Sequence, residues 1–589
     1  MNEDPRPTQD VLEPTDPIPS VEAVAPVVPL PAPRRSARTR WAVAAVIALL
    51  IVAVSAAGLF ALVGASADST VAKWAPADSL AFVEVRGDLP GDQRQNLGRF
   101  LAHFPGFADQ STLDQKLDET LDRLVGRVSD GKGDWTKQIK PWFGGQVGVA
   151  VSAIPSSSGD ADRTGRELII ATIKDPAGAT SWIAGLGGPT PTDQAYAGTT
   201  LHVVQMNGEL GAYATTPTVL LAGDVGSVKA ALDRNGSDGL AEVASFRTAM
   251  SHVEGDQLVR SYLDLKGYLE ALRASVPAMS VAGLDTTGLL ARMPAWTAAG
   301  LRVEEDALAG TSLMPHPADA TIANDASALA SKVPGSTVVL AETHDLGTRI
   351  AAALAGARKD PATADALKQV DSAAALAGGI DALTGWIGDA GFAVIADGTR
   401  PSMGLVVVPT DPAKAASTLA SLKNLLVLSG AASAVTVREE PYAGGTITVF
   451  DGGDVQKLLG GTAGGGYPLP ISGHLEIAVG VRDDIVAIGI GDAFVKAVLD
   501  TKGGASLADQ AVYGDALDRV GARNAGSVFV DIAGARTLAE PFIAASPDGI
   551  TYQKELRPYL EPFSAFAAAF VIGDAVDSSN AVIVVSQPK

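Results

Sequence analysis

The side chains that most often carry chemistry are scattered in this sequence. There is no cysteine, which excludes disulfides, thiolate metal sites and cysteine nucleophiles. No G-x-S-x-G elbow, Walker loop or calcium-binding loop is present. We predict no catalytic residue, no metal ligand and no cofactor-binding residue. No two histidines have the H-E-x-x-H or another i, i+4 spacing that would hold a metal, and packing or surface roles are expected for them: His103, His202, His252, His316, His344 and His474.

The turn at residues 489–492 is the best candidate for a phosphate site, because two glycines lie there between a strand and a helix. The turn lacks the third glycine of a dinucleotide-binding fingerprint, and Asp492 would repel a pyrophosphate. Its counterpart at residues 223–224 occupies the same junction in the first half of the chain, so we interpret both as helix caps. The same interpretation covers the aspartates that end strands in both halves: Asp88 and Asp345, and Asp264 and Asp531.

Two further pairs of residues invite a functional hypothesis. Glu84 and Asp88, expected to be exposed near a strand end, are the carboxylates that an enzyme of unfamiliar type would use. Trp142 and Trp386 are each followed two residues later by glycine, and an exposed indole there would stack on a sugar. A repeated tryptophan at a strand edge more often packs against the protein's own helices, so we predict that both belong to the core.

Composition limits the class of protein. At 589 residues the chain exceeds the size of one hydrophobic core, so at least two globular units are expected. With 47% hydrophobic and 19% charged residues, most of the chain can fold. The formal net charge of −21 opposes binding to nucleic acid or to anionic headgroups, which excludes nucleic acid from the expected partners.

Residues 41–65 are predicted to form a transmembrane helix. The stretch 41–63 is almost wholly apolar, and about 20 apolar residues suffice to cross the hydrocarbon core. Four arginines lie at positions 34–40, just before it, so the positive-inside rule places the N-terminus in the cytoplasm and the rest outside. The alternatives are a buried core helix and a signal peptide cleaved after Ala67.

Residues 1–40 precede this segment and are rich in proline. Proline at this density opposes helix and sheet, which predicts a disordered, extended cytoplasmic tail. The simplest interpretation is a tail that sets the orientation of the chain in the membrane. A docking segment, or phosphorylation at Thr8, Thr15 or Ser20, is the alternative.

The region after the predicted helix repeats itself. Seven sequence blocks recur in the same order. Among them, WFGGQVGVAVS from Trp142 parallels WIGDAGFAVIA from Trp386, and VLLAGDVGSVKAALD from Val219 parallels VAIGIGDAFVKAVLD from Val486. Such repeats predict a duplicated architecture. We therefore divide the outer region into two homologous lobes, residues 66–330 and residues 331–589.

The pattern within each lobe alternates between period-2 strands and helical stretches. Asp175-Pro176 and Asp411-Pro412 each end a strand and begin a helix, with aspartate as the cap. Short turns between many strands favour antiparallel pairing, so the predicted fold class is α+β, with a mainly antiparallel sheet covered by helices in each lobe. The stretch 111–129 is predicted to be a helix with one apolar face: Leu113, Leu117, Leu121, Leu124 and Val128.

The run PADSLAFVEVRGDLPGDQRQNLGRFLAHFPGFADQSTLDQKLDETLDRLV, followed by PWFGGQVGVAV and later by GDVGSVKAALD, resembles a bacterial family catalogued as domain of unknown function 3352. The resemblance covers most of the chain after the predicted helix. It implies a membrane-anchored protein of the cell envelope, mainly in actinobacteria and cyanobacteria. It carries over no catalytic residue.

These observations lead to three functional hypotheses. The favoured one is a non-enzymatic binding or scaffold protein of the cell envelope, with a single pass through the cell membrane and an extracytoplasmic C-terminal region. Its partners would be the lipid bilayer, through residues 41–65, and an envelope protein or ligand that the sequence does not identify. The second hypothesis is a carrier of lipid or another apolar molecule, held in a groove between helices and sheet. The third is an enzyme of unrecognised type.

Overall fold

The computed structural model describes fourteen ranges of the chain, and the predicted tail and transmembrane helix (residues 1–65) lie outside them. Among the residues described, no helix combines the length and the apolar character needed to cross a membrane. The described ranges are 69–129, 133–154, 166–185, 189–206, 209–275, 293–317, 322–359, 361–375, 378–397, 400–428, 435–454, 474–482, 484–501 and 505–586.

Strands dominate both halves of the chain. The first half contains β1 (Ala81–Arg86), β2 (Phe143–Ala153), β3 (Arg166–Ile173), β4 (Thr192–Tyr196), β5 (Thr199–Met206), β6 (Glu209–Thr215), β7 (Val219–Asp224), β8 (Val259–Asp264), β9 (Trp296–Val303), β10 (Ala307–Pro315) and the short β11 (Asp325–Ala326). The second half contains β12 (Thr337–Thr343), β13 (Ile387–Asp397), β14 (Arg400–Pro409), β15 (Thr436–Tyr442), β16 (Gly445–Asp454), β17 (His474–Arg482), β18 (Ile485–Ile490), the short β19 (Arg523–Asn524), β20 (Gly526–Asp531), β21 (Phe563–Val571) and β22 (Val576–Val585).

Helices connect these strands. In the first half they are α1 (Thr70–Trp74), α2 (Gln93–Leu101), α3 (Leu113–Val128), α4 (Pro176–Gly185), α5 (Val225–Arg234), α6 (Ala244–Ser251) and α7 (Leu265–Ser275). In the second half they are α8 (Leu346–Lys359), α9 (Pro361–Ala375), α10 (Ile380–Thr384), α11 (Pro412–Leu428), α12 (Asp492–Asp500), α13 (Ala511–Val520), α14 (Ile532–Ala544), α15 (Gly549–Thr551) and α16 (Arg557–Leu560). Short 3₁₀ or π-type turns occupy Gln110–Thr112, Trp135–Ile139, Leu240–Glu242, Leu507–Asp509 and Tyr552–Leu556.

Twenty of the strands form one antiparallel sheet, and β11 and β19 pair separately. The registers give the order β4-β5-β6-β7-β3-β2-β1-β8-β9-β10 for the first half. The second half follows as β22-β21-β20-β12-β13-β14-β18-β17-β16-β15. Read outward from β10 in the first half and from β22 in the second, the two halves therefore have the same order of corresponding strands. The predictions of an α+β class and of antiparallel pairing are confirmed.

The two halves join where β10 pairs with β22. This ladder runs from Ala307 opposite Val584 to Pro315 opposite Val576. We expected a sheet of its own in each lobe, and the structure instead has one continuous sheet. The physical reason is that β10 and β22 would otherwise be edge strands with unpaired backbone N–H and C=O groups, which the mutual pairing satisfies.

The sheet has two faces, and helices pack on both. We call the side that carries Phe82 and Leu340 the first face. In the first lobe α1, α5 and α6 cover it, and in the second lobe α12 and α13 cover it. The opposite side is the second face, which α3 and α4 cover in the first lobe.

Two core predictions are tested by side-chain burial. Trp142 and Trp386 are buried, so their assignment to the core is confirmed. The predicted helix at 111–129 is α3 with a 3₁₀ turn before it, and its buried side chains are Leu113, Leu117, Leu121 and Val125. Leu124 is half-buried, and the side chain of Val128 lies outside the described residues.

Candidate functional site

The aspartates at the strand-to-helix junctions cap helices in three of the predicted places. The carboxylate of Asp224 accepts a hydrogen bond from the backbone N–H of Ser227 at 2.8 Å, which caps α5. Asp264 and Asp531 accept from the N–H groups of Gly267 and Gly534 at 3.0 and 2.9 Å. These contacts satisfy N–H groups that have no partner within the helix.

The cap prediction was wrong for Asp492. Gly491, with φ of +74°, is the residue before α12, and Asp492 lies in the first helical turn. Its carboxylate accepts a hydrogen bond from the ammonium group of Lys496 at 2.7 Å. A negative charge there still complements the helix dipole, and Lys496 pairs with it one helical turn further along.

The carboxylates Glu84 and Asp88 are buried, contrary to the expectation that they are exposed. Glu84 is 1% exposed, and Asp88 is 5% exposed. Arg86 lies between them, wholly buried, and its guanidinium donates to both oxygens of Asp88 at 2.7 and 2.8 Å. Gln146 on β2 also donates to Asp88, at 3.1 Å. Asp88 is therefore half of a buried ion pair, and the cap prediction for it was wrong.

Burial and charge act in opposite directions on this cluster. Loss of solvent raises the pKa of Glu84, while the nearby charge of Arg86 lowers it, and burial dominates. Burial also opposes the charge on Arg86, but hydrogen bonds and charge from Asp88 raise the pKa of its guanidinium above the usual value. The cluster holds a protonated arginine and a carboxyl group that resists ionisation.

The second lobe has a related cluster at the corresponding position. Glu84 lies opposite Gly148 in the β1–β2 ladder, and Glu342 lies opposite Gly391 in the β12–β13 ladder. The carboxylate of Glu342 accepts hydrogen bonds from the hydroxyls of Ser327 and Ser527 at 2.6 and 3.0 Å. Burial raises the pKa of Glu342 in spite of these bonds.

A histidine, His344, occupies in this second cluster the position that Arg86 has in the first. Nδ1 of His344 lies 2.9 Å from Oδ2 of Asp389, and this hydrogen bond raises the pKa of the imidazole. The sequence did not predict this grouping of Arg86, His344 and Asp389, and His344 was expected only to have a packing or surface role. The signal that would have found two of them is Glu-x-Arg and Glu-x-His on the corresponding strands of the two lobes.

An open cleft of about 550 Å³ lies at the junction of the lobes, and no residue of these two clusters lines it. Each of its charged groups is paired: Arg519 binds Asp306 and Glu304, and Arg99 pairs with Glu305. His103 also lines the cleft, and its Nδ1 lies 3.1 Å from the carbonyl oxygen of Phe100. A cleft whose charges are already paired has little to offer a charged ligand.

Two of the other histidines also have local partners. Nδ1 of His202 lies 2.7 Å from a carboxylate oxygen of Asp193, and the ring stacks on Tyr213. Nδ1 of His316 lies 2.8 Å from Asp577. Within the ranges that the structure describes, no group of three or more His, Asp or Glu residues is placed to hold a metal ion. The side chain of His474 lies outside the described residues.

The most distinctive surface of the molecule lies on the second face of the second lobe. Its residues are direct neighbours across the ladders: Val528 is opposite Ala341, Ala341 opposite Phe392, and Phe392 opposite Leu405. Ile477 and Ile490 are also paired. Six large apolar side chains here are between 37% and 59% exposed, and we call them the apolar strip: Phe392, Met403, Leu405, Ile477, Ile490 and Val528.

Helix α11 extends this surface. It packs on the same face, where Ala415 and Leu419 contact a cluster that includes Val407. Two leucines further along the helix, Leu422 and Leu425, are exposed. Apolar side chains therefore continue from the strands onto the neighbouring helix.

The first lobe lacks such a surface in its described residues. The positions that correspond to Val528, Ala341, Phe392 and Leu405 are occupied there by Ser261, Val83, Val149 and Ile169, all half-buried. Of the 16 large apolar side chains that are exposed among the described residues, 15 lie after residue 331 and only Leu210 lies before it. The asymmetry means that the strip is a property of the second lobe and not of the repeated fold.

The fold and this surface define an α+β protein, built on one antiparallel sheet of 20 strands, with an apolar surface on its second half. The model of a family described as "Protein of unknown function (DUF3352)" matches residues 42–572, and the chain belongs to that family. A comparison with curated proteins finds no match.

Among solved structures, crystal forms of a protein called TP0453 are similar to part of the chain. Crystal form III has a TM-score of 0.23 at 12% identity, over 44% of this chain and 82% of that one. Crystal form I has a TM-score of 0.23 at 11% identity, over the same shares of the two chains.

Proposed function

We propose that this chain is a non-enzymatic binding protein of the cell envelope, which holds a protein partner on the apolar strip. The observation that carries the proposal is the strip itself, a continuous set of exposed apolar side chains on one face of the second lobe. Exposed apolar surface of this kind marks interaction sites, because its contact with water is unfavourable. The buried carboxylates Glu84 and Asp88 offer no accessible group for catalysis.

The place of the protein is part of the same proposal. Residues 41–65 anchor the chain in the cell membrane by a single pass, residues 1–40 lie in the cytoplasm, and the two lobes lie outside. The arginines at positions 34–40 and the length of the apolar stretch support this orientation. A bacterial, actinobacterial-type source belongs to the proposal as well, since it rests on the sequence resemblance alone.

A protein partner fits the strip better than a lipid does. A carrier encloses its ligand in a concave pocket that buries most of the ligand surface. The strip runs across β20, β12, β13, β14, β18 and β17 on an open sheet face, and neighbouring strands in a sheet are about 4.8 Å apart. Five such steps give a surface about 24 Å long, which suits the flat apolar centre of a protein interface.

Site-specific crosslinking in intact cells tests the proposal. A photo-reactive residue is placed at position 405 or 477 of the full chain, and at position 210 as the matched control, because Leu210 is an exposed apolar residue of the first lobe. We expect one protein to be captured at 405 and 477 but not at 210. That protein, once purified, should bind the full chain in nanodiscs and lose at least tenfold in affinity with Leu405→Glu, but not with Leu210→Glu.

Two outcomes would overturn the proposal. Capture of lipid alone at 405 and 477 would favour the carrier hypothesis. The enzyme hypothesis would be favoured if the chain captured a molecule, converted it to a product and lost this turnover when a single residue was substituted.

A further inference from the structure

A second set of exposed apolar side chains lies on α14 and the helical turns after it. Five of them, between 42% and 71% exposed, fall within nineteen residues, and we call them the apolar ridge: Phe542, Ile550, Leu556, Tyr559 and Leu560. The ridge includes an aromatic ring with a hydroxyl group. Tyrosine is enriched at the interface of a bilayer because its ring is apolar and its hydroxyl is polar.

The ridge is held in place by polar contacts on its inner side. The carboxylate of Glu540 lies 3.0 Å from Nε of Arg557 and 3.3 Å from the hydroxyl of Tyr552. Arg536 donates to the backbone carbonyl of Leu560 at 2.9 Å. Leu538 and Tyr552 are buried beneath it. These contacts fix the inner side of the segment, while its outer side exposes the five apolar side chains together with polar ones such as Asp548, Lys554 and Glu555.

The position of the ridge follows from the chain path. Helix α14 begins where β20 ends, and α16 ends just before β21 begins. Asp531 lies opposite Ala565 in that pair of strands. The ridge therefore lies where β20 ends and β21 begins. We call this row of strand ends, and not an edge strand, the edge of the sheet.

The first described residues of the chain lie at the same edge. Neighbouring antiparallel strands end at this edge in turn. From the N-terminal end of β21 they are the C-terminal end of β22, the N-terminal end of β10 and the C-terminal end of β9. The N-terminal end of β8 and the C-terminal end of β1 follow. Arg86 ends β1 and lies opposite Gln146, whose side-chain oxygen accepts a hydrogen bond from the N–H of Thr70 at 2.9 Å. The segment that leads to the predicted anchor thus leaves from the edge that carries the ridge.

We propose that the apolar ridge docks on the surface of the lipid bilayer and that this edge of the sheet faces the membrane. The inference rests on the membrane anchor of the proposed function. Five residues lie between position 63, where the apolar stretch ends, and Ser69, so the six steps along the chain span at most about 22 Å. Five strand spacings between β1 and β21 are about 24 Å, so the tether holds the ridge within reach of the bilayer. The strip lies on a face of the sheet and stays available to its protein partner.

The docking is apolar in origin, because the chain as a whole carries a net charge of −21 and is not attracted to anionic headgroups. Insertion of the ridge should occur on zwitterionic phosphatidylcholine. It should also persist at high salt, which screens charge but leaves apolar burial in place.

A single-cysteine label tests this directly, since the chain has no cysteine of its own. The full chain is placed in phosphatidylcholine nanodiscs and carries an environment-sensitive fluorophore at Ile550→Cys. The matched control is Leu210→Cys, at the start of β6, which the strand pairings place at the opposite edge of the sheet. Spin-labelled lipid should quench the label at 550 at least threefold more strongly than the label at 210. Equal quenching at the two positions would overturn the inference.

Two further labels separate the possible failures. A label at Leu50→Cys reports on the anchor alone. Strong quenching at 50 with none at 550 would reject the ridge and leave the anchor intact, whereas no quenching at 50 would reject the anchor itself. A label at Phe542→Cys should lose at least half of its quenching when Ile550→Glu and Leu556→Glu are added, and unchanged quenching there would also count against the ridge.

Discussion

Arg519 of the second lobe holds Asp306 of the first lobe through two hydrogen bonds, each 2.8 Å long. Arg519 lies in the last turn of α13, and Asp306 lies in the turn between β9 and β10. The same guanidinium reaches Glu304 at 3.3 Å. The ion pair therefore braces the two lobes beside the β10–β22 ladder that joins them.

We expect Arg519→Met to lower the free energy of unfolding by about 0.5–1 kcal/mol at pH 7, the usual range for a partly exposed ion pair. The hydrogen bond from Arg519 holds the pKa of Asp306 below its usual value of 3.8. The contribution is thus present above pH 3.8 and is lost as the pH falls through the lowered pKa. Urea unfolding at pH 7 and pH 3 measures this. Arg523→Met, which breaks a more exposed pair with Asp325, is the control and should cost less.

Glu84 gives the opposite dependence on pH. Its pKa is raised by burial, so the stability it contributes is present below the unfolded value of 4.5 and is lost as the pH rises through the raised value. Glu84→Gln should therefore make the protein more stable than the wild type at pH 8, and should change little at pH 4. Thermal unfolding across this range tests it, with the exposed Glu254→Gln as control. A variant that is less stable than the wild type at pH 8 would contradict the burial argument.

His344 should titrate above the usual pKa of histidine, 6.5, because Asp389 binds its ring. The pair then stabilises the fold below pH 6.5, and its contribution disappears as the pH rises through the raised pKa. The stability difference between the wild type and His344→Gln should be larger at pH 6 than at pH 9. An NMR titration of the imidazole measures the pKa itself, and a value below 6.5 would refute the assignment.

Leu405 on β14 and Leu340 on β12 lie two strands apart in the second lobe and on opposite faces of the sheet. Leu405 belongs to the exposed strip, whereas Leu340 belongs to the core. Leu340→Ala should cost about 2–5 kcal/mol of stability because it leaves a cavity. Leu405→Ala should cost about 0.5 kcal/mol and should reduce the binding of an apolar dye. A large loss of stability from Leu405→Ala would show that the strip is core and not a binding surface.

Local patterns predicted local contacts well. Asp175 and Asp411 accept hydrogen bonds from backbone N–H groups of the helices they precede, at 3.0 Å each. Such a cap depends on residues two or three positions apart, so it is written in the sequence. Asp88 looked the same in the sequence, yet it binds Arg86 inside the core. Only its surroundings distinguish an ion pair from a cap.

The sequence by itself determined the α+β class, the antiparallel pairing, the burial of the two tryptophans and most of the face of α3, because each follows from alternation, turn length or helical periodicity. The tertiary structure alone decided that the two halves share one sheet. The β10–β22 ladder pairs residues more than 260 positions apart, and no local pattern specifies such a partner. It also decided which apolar strands remain uncovered. Leu405 and Ile169 have the same apolar character and corresponding registers, and only the elements packed around them leave one exposed and the other half-buried.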